Sequence, residues 1–66
     1  MDEQTSIAII RILDAAPRNK CLHISDLVES LKWMLPEIEH DEASVLEHLA
    51  LMTSSGYVLP IPVTVV

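Results

Sequence analysis

Four side chains belong to the types that bind transition metals, but their spacing does not favour a metal site. Cys21 and His23 are separated by one residue, whereas His40 and His48 are eight positions apart. Structural zinc sites usually combine two close pairs of ligands, and Cys21-x-His23 has no matching second pair. We therefore predict no bound metal or cofactor. His23 is expected at the edge of a strand, and Cys21 as a small buried apolar residue.

Catalytic motifs are equally hard to find. The chain contains no nucleophile elbow, and its single glycine, Gly56, rules out a glycine-rich loop around a phosphate group. A chain of 66 residues also has little depth for a large apolar pocket. These features predict a protein that is not an enzyme.

Acidic residues dominate the charge of the chain. Ten Asp and Glu residues against four Lys and Arg residues give a net charge of −6. Five of the carboxylates lie between residues 37 and 47, where no lysine or arginine occurs. They are interpreted either as a docking face for a basic protein, even a mimic of DNA, or as the solvated start of a helix.

Trp33 and Leu51 are apolar residues that fall outside the apolar stripes of the predicted helices. An exposed tryptophan near a leucine is typical of a binding hot spot, whereas the only tryptophan of a small chain often belongs to the core. Trp33 alternatively packs under the connection between the second and third helices. The predicted protein-binding surface consists of Trp33, Glu37, Glu39, Asp41, Glu42, Glu47 and Leu51.

The few basic residues define an alternative role in DNA binding. Phosphates and guanine are contacted mainly by lysine and arginine, and the third predicted helix contains neither. Its Ser44 and His48 are predicted to face outward and could contact a base, while basic residues elsewhere could form one surface in a dimer. The nucleic-acid-binding residues of this alternative are Arg11, Arg18, Lys20, Lys32, Ser44 and His48.

Length and composition indicate a single domain over residues 1–66 with an aliphatic core. Half of the residues are apolar, but Trp33 and Tyr57 are the only aromatic ones. This apolar content in so short a chain favours a protein partner, or a homodimer through the first helix or the C-terminal strand. No apolar run approaches the ~18 residues of a membrane span. The acidic N-terminus is no secretory signal, and a lone cysteine suits the cytoplasm.

Two helices are predicted in the first half of the chain. "TSIAIIRILDAAP" favours a helix that has Thr5 or Ser6 as N-cap and ends at Pro17, although its β-branched residues leave a buried strand as the alternative. Ser25 is expected to cap a second helix, which Pro36 ends. The apolar stripe of this second helix comprises Leu27, Val28, Leu31, Met34 and Leu35.

A third helix and a closing extended segment follow. The helix is expected to start near His40 or Asp41 and to stop around Ser55, because Gly56 suits a left-handed C-cap. Its inward face comprises Val45, Leu46, Leu49 and Met52. The final "YVLPIPVTVV" is predicted to pair with residues 21–24, or else to form a hairpin of residues 57–59 and 63–66 around "PIP".

"HISDLVESL" followed by "ASVLEHLALMTSSGYV" resembles the pattern of the winged helix-turn-helix superfamily. The resemblance implies a small α+β fold of three helices with a minimal antiparallel sheet of two or three strands, and it makes the third helix the recognition helix. Two features depart from it: "KWMLPEIEHDE" is longer than the tight turn of a DNA-reading motif, and no basic wing follows Gly56. We therefore expect a small regulatory module that binds a protein through its acidic third helix.

Overall fold

Three helices and two short strands make up the computed structural model, which describes residues 3–65. In chain order they are α1 (Glu3–Ala15), β1 (Leu22–His23), α2 (Ile24–Met34), α3 (Glu42–Ser54) and β2 (Val63–Thr64). The chain is therefore a small α+β protein, as the sequence predicts.

Helix α1 covers the segment for which a strand was the alternative, so the helical prediction is confirmed. Its predicted N-cap is wrong, because the helix already includes Glu3 and runs through Thr5 and Ser6. Thr5 is buried and lies within the first turns of α1, so it does not cap the helix. The helix stops at Ala15, since a proline at position 17 disfavours helical geometry in the residue before it.

Helix α2 starts two residues earlier than predicted. Its N-cap is His23, whose side chain makes no capping hydrogen bond, and Ser25 lies inside the first turn. Ile24, the first helical residue, is almost completely buried, so core packing rather than a side-chain cap starts this helix. The predicted stripe is buried at Leu27, Val28 and Leu31, whereas Met34 at its end is 44 % exposed.

Helix α3 begins and ends at the predicted signals. Asp41 is its N-cap, and the Ser44 backbone N–H donates to Asp41 Oδ1 at 2.7 Å. Gly56 follows the C-cap residue Ser55 and has a φ of +104°, which residues other than glycine rarely adopt. The predicted inward face is confirmed at Val45, Leu49 and Met52, which are buried, while Leu46 is half-buried.

The two strands pair in parallel, so the antiparallel sheet that the resemblance implies is wrong. Leu22 lies opposite Val63, and the Leu22 N–H donates to the Pro62 carbonyl oxygen at 2.9 Å. Parallel neighbours need a long crossover, and here α2 and α3 supply it. Within residues 57–65 only Val63–Thr64 is a strand, so the alternative hairpin is not formed there.

A single aliphatic core joins all three helices to the C-terminal segment. Helix α2 packs against both α1 and α3, and Ile61 closes the core from the extended segment. The fully buried large side chains are Ile9, Leu13, Ile24, Leu27, Leu31 and Val45. None of the helices in residues 3–65 is long and apolar enough to cross a membrane.

Candidate protein-binding surface

Trp33 stands on the outer side of α2 and is 82 % exposed. Leu31, two residues before Trp33, is buried in the core. Two residues correspond to a rotation of about 200° around a helix, so the Trp33 side chain lies on the side of α2 that faces away from the core. The alternative in which Trp33 packs under the connection between α2 and α3 is therefore wrong. An indole this exposed leaves most of its apolar area in water.

An open groove of about 800 Å³ runs beside the indole, between α2 and the start of α3. We call it the Trp33 groove, and its lining residues are Ser25, Val28, Glu29, Lys32, Trp33, Pro36 and Glu42. Val28 gives it an apolar wall, while two carboxylates and one ammonium group surround it. Glu29 was not among the predicted binding residues, although it lies four residues before Trp33 and therefore on the same face of the helix.

The predicted acidic residues are all exposed, but only Glu42 lines the Trp33 groove. Glu37 lines a neighbouring depression beside Met34. Asp41 has a structural task as the N-cap of α3. Hydrogen bonds from the Ser44 backbone and then from its hydroxyl lower the pKa of Asp41, outweighing the small opposing effect of burial.

Leu51 does not share the Trp33 groove. It is 46 % exposed on α3, as predicted, but it is not among the residues around the Trp33 groove. Glu42, the α3 residue that does line the groove, lies nine positions earlier, which is about 13 Å along a helix. Leu51 and Glu47 thus belong to a later part of α3 than the groove.

The basic residues of the DNA-binding alternative lie on different elements of the fold. Lys32 lines the Trp33 groove, whereas Arg11 lines a separate depression between α1 and the end of α2. Arg18 forms an ion pair with Asp14, with 3.9 Å between Nη2 and Oδ1. Lys20 is exposed in the connection between α1 and β1.

The two α3 residues proposed for base contacts are placed differently from each other. Ser44 is exposed, and its backbone N–H serves the Asp41 cap. His48 is half-buried and shares a hydrogen bond of 2.7 Å with Ser6 of α1, through Nε2 and Oγ. The prediction that His48 faces outward is therefore wrong, because it links α3 to α1.

The histidines and the cysteine lie at separate places. Thr64 Oγ1 and His23 Nδ1 are hydrogen-bonded across the two strands at 2.9 Å, which confirms His23 as an exposed strand residue. The buried His40 donates from Nε2 to the Leu35 carbonyl oxygen at 3.3 Å. Cys21 is exposed ahead of β1, so its predicted burial is wrong. No group of three or more metal-ligating side chains forms within residues 3–65.

A second partly apolar surface lies between α1, for which the sequence predicts a homodimer contact, and the end of α2, where Met34 was expected to face inward. Ile7 and Met34 are 46 % and 44 % exposed and line the same depression. We call this surface the Met34 face, and it consists of Gln4, Ile7, Ala8, Arg11, Met34, Leu35, Pro36, Glu37 and Ile38. The available signal was that α1 carries more isoleucines than one buried stripe accommodates.

Comparisons with protein-family models, with curated proteins and with solved structures find no match to this chain.

Proposed function

We propose that this protein is a small, non-enzymatic regulatory module that binds a segment of another protein in the Trp33 groove. The observation that carries the proposal is the exposed indole beside an open groove. Tryptophan is the residue most enriched among those that dominate binding energy at interfaces, where it is buried by the partner. A solvent-exposed indole next to the apolar wall of Val28 is suited to that use.

The charges around the groove favour a partner segment with basic and apolar side chains. Glu29 and Glu42 lie at the groove, and within residues 3–65 neither forms an ion pair. The exposed Glu39 and Glu47 add further negative charge to the connection before α3 and to α3 itself. Such a field steers a basic segment to the surface and fixes its orientation, while burial of Trp33 supplies affinity.

We further propose that the fold is a reduced relative of the winged helix-turn-helix domains. The order of α1, β1, α2 and α3 supports this, as do the caps at Asp41 and Gly56. The long connection over residues 35–41 and the parallel strands depart from a DNA-reading member. The exposed, unbridged Cys21 suits a cytoplasmic protein, because a reducing compartment keeps a thiol free.

Selection of binding peptides from a random display library, followed by counter-selection on Trp33→Ala, tests the proposal. Peptides rich in basic and apolar residues should be retained by the natural chain and lost on the variant. Val58→Ala is the matched control, because Val58 is as exposed as Trp33 and lies outside the groove. Peptides that bind all three chains equally would contradict a site at Trp33.

A titration with random duplex DNA at about 50 mM salt separates this role from the DNA-binding alternative. We expect no binding by the monomer, since α3 contains no lysine or arginine and the net charge is −6. Micromolar binding that weakens steeply with salt would instead favour a dimeric DNA-binding regulator.

A further inference from the structure

We propose that the Met34 face binds a second copy of this chain, so that two copies associate around a two-fold axis. Ile7 of α1 and Met34 of α2 lie side by side on this face, and each leaves nearly half of its surface in water. A small domain that holds two such side chains together at its surface gains apolar burial when a partner covers them.

The charges of the Met34 face are complementary to the same face in reversed orientation. Two adjoining depressions share Gln4, Met34 and Leu35. Arg11 lines only the depression that contains Ile7, and Glu37 lines only the other one. One positive and one negative group therefore flank a shared centre that contains Met34 and Leu35 besides Gln4. Across residues 3–65 neither Arg11 nor Glu37 forms an ion pair within its own chain.

A two-fold axis through this centre brings each charge to an opposite one. In an isologous contact, residue i of one copy meets residue j of the other, and the reverse pair forms as well. With the axis near Met34, Arg11 of each copy faces Glu37 of the other, which produces two equivalent ion pairs around packed Ile7 and Met34 side chains. This self-complementarity indicates a second copy rather than an unrelated chain.

The Met34 face is separate from the site proposed for the protein partner. Of the residues that line the two surfaces, only Pro36 is common to both. A dimer through the Met34 face leaves Trp33 exposed in each copy and presents two grooves per assembly. The two proposals can therefore fail independently.

Sedimentation velocity of the full chain, from about 5 µM to about 500 µM, tests the dimer. The natural chain should shift from monomer to dimer across this range. Arg11→Glu and Glu37→Arg should each raise the dissociation constant at least about tenfold, because each places like charges opposite one another across the axis. The double variant Arg11→Glu/Glu37→Arg should restore the natural constant to within about threefold, since it re-forms both pairs with reversed sign.

Lys20→Glu and Glu39→Arg are the matched controls, because they make the same charge changes on exposed residues outside the face. They should leave the constant nearly unchanged, as should Trp33→Ala. Far-UV circular dichroism checks that each variant is folded. Arg11→Gln and Glu37→Gln remove the charge without reversing it and serve as milder variants if a charge reversal prevents folding. A natural chain that stays monomeric at the highest concentration, or a folded double variant that does not recover, would overturn the proposal.

Discussion

Trp33 is the side chain on which the proposed partner binding most depends. We expect Trp33→Ala to change the free energy of unfolding by no more than about 0.5 kcal/mol, because the indole makes little contact with the core. The same change should weaken binding of a selected peptide by about 2 kcal/mol, or roughly thirtyfold. Isothermal titration calorimetry and urea unfolding measure the two effects separately. Loss of folding in Trp33→Ala would show that the indole is part of the core.

Asp41 illustrates a residue whose charge serves the fold rather than a partner. Hydrogen bonds from Ser44 lower its pKa below the ordinary value of 3.8, so the folded state favours the carboxylate. The stabilisation is therefore present above pH 3.8 and is lost as the pH falls through the lowered pKa of the folded state. We expect Asp41→Ala to unfold a few degrees lower at neutral pH and to lose less stability on acidification.

Thermal melts between pH 7 and about pH 2 measure this difference. Asp26→Ala is the control, since Asp26 also lies in the first turn of a helix, α2, but is not the N-cap residue of that helix. Equal acid sensitivity in the natural chain and in Asp41→Ala would show that the cap contributes nothing to the pH dependence.

Gly56 sets the end of α3 and the direction in which the extended segment leaves it. Its φ of +104° is strained for any residue with a Cβ, while an added Cβ would meet no atom within 4 Å. We expect Gly56→Ala to cost about 1 kcal/mol, entirely through the backbone. Gly56→Asn should cost less, since asparagine tolerates positive φ better than alanine. Equal losses in both, measured by urea unfolding, would point to a cause other than backbone geometry.

The elements differ in how far local sequence determines them. The roles of Asp41 and Gly56 at the ends of α3 are predicted correctly, because a helix cap is formed by residues that are close together along the chain. Ser25 and Thr5 are wrong as caps because tertiary packing of Ile24 and Thr5 extends the helices beyond the local signal. The direction of the sheet depends on how residues 57–62 return along the core, which no local pattern specifies.

The small core makes the whole molecule sensitive to single large-to-small changes. Leu31 is fully buried on α2, the helix that packs against both others, so Leu31→Ala should cost about 2–5 kcal/mol. A domain of this size rarely has more than about 3–5 kcal/mol of stability, so this variant should be largely unfolded. Met34→Ala, on the same helix but half-exposed, should cost less than about 1 kcal/mol. Comparable losses in urea unfolding would contradict the description of the core.

The candidate site shows the same division between local and long-range information. The exposure of Trp33 is predictable because its angle on α2 relative to Leu31 is a property of one helix. Its grouping with Glu29 and Glu42 depends on how α2 and α3 pack, and the sequence instead suggested Leu51. His48 looked outward on a single helix, yet its contact is Ser6 of α1, 42 positions away. Contacts between side chains of different helices could not be predicted from the sequence pattern of each helix.

The fluorescence of Trp33 provides the most direct test of the proposed binding site, because it is the only tryptophan in the chain. The probe is an amphipathic peptide of leucine and lysine that lacks tryptophan, and the control is the same peptide with glutamate in place of lysine. We expect the leucine–lysine peptide to produce a saturable blue shift, as the exposed indole is buried, and the glutamate peptide to produce none. An emission spectrum that stays unchanged, or responds equally to both peptides, would contradict a partner-binding groove at Trp33.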